Sequence, residues 1–372
     1  MPTPTVPEFL LPPDGSTVSG SVLLTWTPSF IPPGNDAVEL EAKGASLSGG
    51  YADAVIPGEP VQLEAKGASR SGGYAEAEIP GEGGGDGLTK TAHGLLARYE
   101  AGSGTHPFDT DDWSAPGLFT LSLDEGALLC ERTGGTQSGW RAIRCDPVAA
   151  SSAPRHVQAV VMRDNDSPSV SWGGVVLRLA TDNFLAFVTG GGSVGRSTDR
   201  HILAARDDSS TETHLQSVAN ISPQKVRGEP YRLSLAVEGD WDYRSYDFDA
   251  DHTMSGTGDE GEVSPGGVGF AIDTGASAGS DFRLDEFYVT AGARFSVSGL
   301  PSGATVQVLD ASENVLTSAE EDGGTAVVDM LAVAYPDAVE VVVRDDGDSV
   351  LATLTPENGV WGGDAYTYAE PE

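Results

Sequence analysis

An all-β chain built from several small sandwiches is predicted, on three observations. Apolar residues alternate with polar ones instead of recurring every third or fourth position. Glycine (48 residues) and proline (23) punctuate these alternating runs throughout the 372 residues. No apolar run approaches the roughly 18 residues that a membrane-spanning helix needs. Tyr231, Leu233, Leu235 and Val237 point to one face of a predicted strand, and Arg232, Ser234, Ala236 and Glu238 to the other. Val306 with Val308, and Val339 with Val341 and Val343, repeat the pattern. One short helix is expected, around Ala92 to Glu100.

Three regions follow in order. Residues 1–87 open with a proline-rich stretch whose one strand-like run is Val22 to Trp26. An internal repeat comes next: residues 38–60 recur as 61–83, with 18 of 23 positions identical. Each copy reads strand, Ser/Gly turn, strand, Pro-Gly turn, which is one β-hairpin. A lone hairpin is marginal in water, so the pair is expected to gain partners, from other copies of the chain above all. Gly81 to Gly87 has the composition of a flexible linker. Residues 88–292 form a long β region, and residues 293–372 a third, smaller β unit. The 1–87 region is therefore expected to anchor and oligomerise, and its apolar residues Leu40, Val55, Ile56, Leu63 and Ile79 to line the contacts.

The charge is the strongest compositional signal. Asp plus Glu number 56 against 21 Lys plus Arg, a net charge of −35. Only four lysines occur: Lys43, Lys66, Lys90 and Lys225. Such a surface repels phosphates, which excludes nucleic acid as a partner and disfavours anionic lipid. The screening length falls from about 10 Å at 0.1 M salt to about 3 Å at 1 M, so this repulsion fades in brine. The composition fits a chain from a halophile or from a virus of one. Met1-Pro-Thr-Pro-Thr has neither a basic nor an apolar stretch, so no secretory signal is expected.

Cys130 and Cys145 are the only cysteines. The segment between them has its Gly-Gly turn chemistry near the middle, so the two are expected to face each other across one hairpin and to bridge. A loop of that size would contribute about 3 kcal/mol. Two reduced, buried thiols are the alternative.

Catalytic patterns are sparse. No Gly-x-Ser-x-Gly elbow, phosphate loop or zinc-type spacing is present. The six histidines (His93, His106, His156, His201, His214 and His252) are scattered. Calcium is the ion the acid clusters could hold, because it takes six to eight oxygen ligands. The first cluster is Asp109, Asp111 and Asp112; the second is Asp247, Asp249 and Asp251, read as alternate positions on one strand face. Solvated acids of a brine-adapted surface are the plainer reading of both. Sugar platforms need exposed aromatic faces beside carboxylates. Trp113, next to Asp111 and Asp112, is one candidate; Trp241 with Tyr243, in an expected turn between strands, is the other. A buried core position is the alternative for each.

Several stretches carry resemblances. Gly173 to Ala180, Asn183 to Val188, Pro230 to Asp240, Val263 to Ile272 and Asp281 to Val289 resemble, in order and spacing, the second half of a concanavalin A-like or laminin-G-like jelly roll. Phe295 to Asp310, Ala338 to Gly347 and Val350 to Leu354 resemble a small transthyretin-like or Ig-like sandwich. Residues 12–20 are similar to the opening of small bacterial Ig-like modules. The jelly-roll fold serves lectins, adhesion modules and glycosidases alike. Glucanases of that superfamily carry paired carboxylates on one strand, about 5 Å apart. Asp281, Asp285 and Glu286 come nearest here but lack the leading Glu, so no enzyme is expected. Together the regions resemble a fibre, spike or turret protein of a tailed virus of haloarchaea. That resemblance implies a homo-oligomer on the virion surface, in contact with other virion proteins and with a host-surface glycan or glycoprotein. A purely structural decoration protein without a ligand is the alternative, and a glycan depolymerase a third reading.

Overall fold

The computed structural model describes residues 87–370, apart from 118, 134–139, 165–171, 180–182, 191–195, 198, 207–211, 220, 223–224, 227, 239–241, 258–265 and 274–280. All of these belong to one compact unit, Gly81–Glu372. The proline-rich segment, the hairpin repeats and Trp241 lie outside the described residues.

The described residues form β-strands joined by turns, with two short 3-10 turns at Thr110–Asp112 and Tyr335–Asp337 and no α-helix. The all-β expectation holds. The short helix expected near Ala92–Glu100 does not: Leu88–Ala92 and Leu95–Glu100 are both strands. A helix of nine residues is marginal alone. Pairing with Asp281–Thr290 instead turns Ala97 and Tyr99 inward, a period of two that the doubled Leu95-Leu96 conceals.

The larger unit is a two-sheet antiparallel sandwich, the architecture implied by the concanavalin A-like resemblance. One sheet runs His252–Thr257, Asp242–Asp247, Tyr231–Glu238, Arg155–Asp164, Asp281–Thr290, Ala127–Arg132, Phe119–Asp124. Leu95–Glu100 also joins it, on the second half of Asp281–Thr290. The facing sheet runs Glu212–Val218, Asp199–Arg206, Asn183–Gly190, Trp172–Leu179, Gly267–Asp273, Trp140–Cys145, Trp113–Ser114. Val157, Leu233, Leu235, Val237, Phe287 and Val289 meet Ile143, Val175, Leu177, Phe187, Phe270 and Ile272 in the core between them. The Tyr231-to-Val237 alternation is thus read correctly from sequence. Its other face differs from expectation, because Ser234 and Ala236 are fully buried as well.

The cover over that face is the smaller sandwich. It has two four-stranded sheets. One runs Leu88–Ala92, Ala365–Tyr368, Arg294–Ser298, Thr325–Asp329; the other runs Val315–Glu320, Thr305–Leu309, Glu340–Arg344, Val350–Leu354. Val306, Val308, Val341 and Val343 fill its core as their alternation predicts. Its outermost strand comes from the far side of the large sandwich in sequence. Leu88–Ala92 pairs antiparallel with Ala365–Tyr368, with Leu88 opposite Tyr368. The strand Asp281–Thr290 serves both units. Phe287 and Val289 face the large core, while Tyr288, between them, enters the small one.

Candidate functional site

The residues singled out for ligands are held by the fold itself. Trp113 is 5% exposed and packs edge-on to Phe287 at 4.9 Å and to Tyr99 at 5.5 Å. Tyr243 is 3% exposed and covers Gly256 on the neighbouring strand. Both side chains point inward on their strands, so neither presents a face to a sugar. This corrects the platform reading for Trp113 and Tyr243. Glu238 pairs antiparallel with Asp242, and the residues between them, Trp241 included, lie outside the described residues.

The acid clusters are likewise engaged locally. Asp109 caps the Thr110–Asp112 turn by accepting from the amide of Asp111 at 3.0 Å. Asp112 accepts from the Tyr99 hydroxyl at 2.9 Å. Burial raises the Asp112 carboxyl above the usual range, and the charges of Asp109, Asp111 and Asp146 add to this against the Tyr99 hydrogen bond. Asp247, Asp249 and Asp251 do not line one strand face: the strand ends at Asp247, and the other two lie in the following turn. Buried Asp247 accepts from the amides of Asp249 (3.1 Å) and Ala250 (3.3 Å), an Asx-type turn. Asp251 accepts from Tyr246 at 2.7 Å. Among the described residues, no group of three or more acidic, histidine or cysteine side chains is arranged to hold a metal ion.

Cys130 and Cys145 are both buried thiols. They do not share a hairpin. Ala127–Arg132 belongs to one sheet of the large sandwich and Trp140–Cys145 to the other. The two strands lie in different sheets, so turn chemistry alone misassigned the pairing.

Among the described residues, a dense polar arrangement lies where the two sandwiches meet, and no sequence pattern pointed to it. His156 on Arg155–Asp164 is fully buried. Its Nδ1 lies 2.6 Å from the Tyr335 hydroxyl of the small sandwich, and its Nε2 hydrogen-bonds Ser234 on the neighbouring strand. Burial lowers its pKa to about 3, so the ring is neutral and one nitrogen donates while the other accepts. Gln158, two residues on, donates to the Val333 carbonyl at 2.9 Å and accepts from the Tyr335 amide at 3.1 Å and from Arg232 at 2.9 Å. Tyr335 also lies 3.0 Å from the Thr290 hydroxyl and accepts from the Gly362 amide. A serine bonded to a histidine has the outline of an activated nucleophile. Here both are sealed from solvent, and the pair is a structural joint.

A second buried arrangement closes the small sandwich. Lys90 Nζ lies 2.9 Å from Asp364 Oδ2, with the two side chains 2% and 0% exposed. Asp364 also accepts from the amides of Gly94 (2.7 Å) and Trp361 (2.8 Å) and from the Tyr366 hydroxyl (2.8 Å). Lys90 is one of four lysines in the chain. Its scarcity was visible in the sequence; its partner, 274 positions away, was not.

Several other cations among the described residues turn inward or pair. Lys90, Arg132, Arg141 and Arg178 are buried, whereas Asp247 and Asp364 are the only acids in the interior among the described residues. Arg244 clamps Asp329 and Glu238; Arg232 pairs with Glu286 at 2.7 Å; Arg283 holds Asp285 at 2.7 Å and Asp124 at 3.0 Å. Asp285 and Glu286, the nearest approach to a glucanase strand, are thus ion-paired partners.

No family model matches the chain, and no curated protein matches it. Solved structures are similar to it over about half its length. One is a protein of unknown function with a galectin-like fold from Bacillus subtilis, at 11% identity and a TM-score of 0.38, covering 54% of this chain and 98% of that one. Another is the carbohydrate recognition domain of Emp46p in its metal-free form, at 11% identity and a TM-score of 0.33, covering 49% of this chain and 89% of that one. A third is the CBM2 module of the evolved Dit of Lactobacillus casei BL23 phage J-1, at 8% identity and a TM-score of 0.35, covering 55% of this chain and 96% of that one.

Proposed function

We propose that the protein is a non-catalytic surface appendage of a particle that lives in brine, a fibre, spike or turret of a halophilic virus that contributes to attachment to host-surface glycan. The observation that carries the reading is the one-sided placement of charge. Among the described residues, Lys90, Arg132, Arg141 and Arg178 are buried and Arg232, Arg244 and Arg283 are ion-paired, while acids outnumber bases 56 to 21 in the chain. A surface this acidic repels polyanions at low salt, and screening relieves its self-repulsion at molar salt. The fusion of two sandwiches through buried polar contacts suits a stiff projecting element. Full-length protein, labelled and incubated with haloarchaeal cells or isolated S-layer glycoprotein in high salt, should bind saturably, and competing free glycan should reduce the binding. No saturable binding overturns the attachment role. Release of reducing sugar during the incubation would instead reveal a depolymerase.

A purely structural role is the second reading. It is favoured by the burial of Trp113 and Tyr243, two of the three aromatic residues proposed as sugar platforms. On this reading the chain associates with copies of itself and with other virion proteins. Light scattering should then give an oligomer for the full chain and a monomer for residues 88–372.

A further inference from the structure

We propose that Lys90 and Asp364 condense into an intramolecular amide, a covalent cross-link between the first strand of the small sandwich and the residue just before its last strand. Four features of the site point to this chemistry. The amine and carboxyl are in contact at 2.9 Å and are buried together. Held reactants of this kind behave as though at very high effective concentration. The carboxyl sits in a cradle of donors, with the Gly94 amide on Oδ1 and the Trp361 amide and Tyr366 hydroxyl on Oδ2. Those donors would stabilise the negative charge that builds on oxygen as the carbonyl carbon is attacked. The walls are aromatic: Tyr366 lies beneath Lys90 at 5.9 Å, and Phe295 packs edge-on to Tyr366 at 5.4 Å. A dry interior keeps out the water that would reverse the condensation. Finally, the strand pairing shifts register between Lys90 and Ala92, an irregularity immediately beside the reacting side chain.

The step balances without any further reagent. A proton passes from the Lys90 ammonium to the Asp364 carboxylate. The freed nitrogen lone pair attacks the carboxyl carbon, forming the C–N bond. A second proton leaves the nitrogen for a carboxyl oxygen, with the Tyr366 hydroxyl placed to relay it. The C–O bond to that oxygen breaks, and it departs as water carrying both protons. Ammonium plus carboxylate become amide plus one water, with no change of oxidation state.

Intact-mass measurement on denatured full-length protein decides the matter. The expected mass is the sequence mass less one water. Proteolysis should yield a branched peptide containing both Lys90 and Asp364. Lys90→Arg should restore the full sequence mass, and Asp364→Asn should lose ammonia in place of water or lose nothing. Because the deciding measurement is on the unaltered chain, misfolding of a variant does not blur it. A full sequence mass with unbranched peptides overturns the proposal. So does a one-water deficit that persists in Lys90→Arg, or one without a branched peptide, which would mark a cyclised aspartate elsewhere.

Discussion

The Tyr335 hydroxyl stands 2.6 Å from Nδ1 of His156, and it ties the small sandwich to the outer face of the large one. The residues are 179 positions apart. Their rings also pack at 5.4 Å, and Trp361 closes over Tyr335 at 5.0 Å. Hydrogen bonds in such a dry setting are costly to leave half-made.

The first prediction concerns acid. His156 is neutral in the folded chain, with a pKa lowered from 6.5 to about 3 by burial; Asp329 acts to raise it and Arg244 to lower it. The unfolded chain takes up a proton at His156 below about pH 6.5, and the folded chain does not until about pH 3. Stability is therefore full above pH 6.5 and falls as pH drops through that window, by up to about 1.4 kcal/mol per unit. Asp329 reinforces the trend: although burial works against it, Arg244 and the Leu331 amide hold its carboxyl below the usual range. Denaturant midpoints at constant high salt should decline from pH 6.5 downward. Midpoints that stay level to pH 4 would contradict a neutral buried His156.

Removing one oxygen at the joint should be felt. Tyr335→Phe leaves the His156 nitrogen and the Gly362 amide without their partner. Each buried unpaired group costs about 1–3 kcal/mol. The variant should melt several degrees lower, and limited proteolysis should open the segment between the sandwiches before either core. An unchanged melt would show that the joint is held by apolar contact alone.

Gly94 is fitted against another glycine segment. A Cβ there would lie 2.0 Å from the Gly362 carbonyl oxygen and 2.6 Å from the Asp364 amide. Backbone cannot yield as a side-chain tip can, so Gly94→Ala should cost about 2–3 kcal/mol or more. Gly104→Ala, in open space, is the matched control and should be neutral.

Cys130 and Cys145 should react with a thiol reagent only after denaturation, giving two thiols per chain. Burial pushes the Cys145 thiol well above the usual range, which suppresses the reactive thiolate. The melting temperature should be the same with and without reductant. A lower melt in reductant would mean that a bridge exists.

Salt supplies the last prediction. With a net charge of −35, the fold should gain stability as ionic strength rises from roughly 0.1 M to a few molar, because screening shortens the reach of each carboxylate. A melt indifferent to salt over that range would remove the halophilic reading.

How far the sequence could be read differed by feature. Strand alternation was legible at Tyr231–Val237 and at Val306 and Val308, because one face of each strand meets a core and the period of two records it. Segment Ala92–Glu100 misled, since its alternation is masked by paired leucines and its partner strand lies far along the chain. Trp113 and Tyr243 misled for a different reason: an aromatic beside acids looks the same in sequence whether it points in or out. The cysteines were misplaced because nothing local distinguishes a hairpin turn from a crossover between sheets. His156, Gln158, Lys90 and Asp364 carried no motif at all. Each is paired with residues that only the tertiary fold brings near, as the polar face of Tyr231–Glu238 shows by being covered rather than wet.

The pairing of Leu88 with Tyr368 has a mechanical consequence. The chain enters this unit and leaves it at the same end of one antiparallel ladder. Tension applied through the two flanking segments would peel that ladder open one rung at a time, starting at Leu88 and Tyr368 and moving toward Lys90. Leu88, Tyr366 and Tyr368 belong to the small core, so that core would loosen with the first rungs. Both sandwiches hang as a side branch off the line of force, and the resistance of the whole unit to being stretched is set by what happens at the few residues between Leu88 and Asp364.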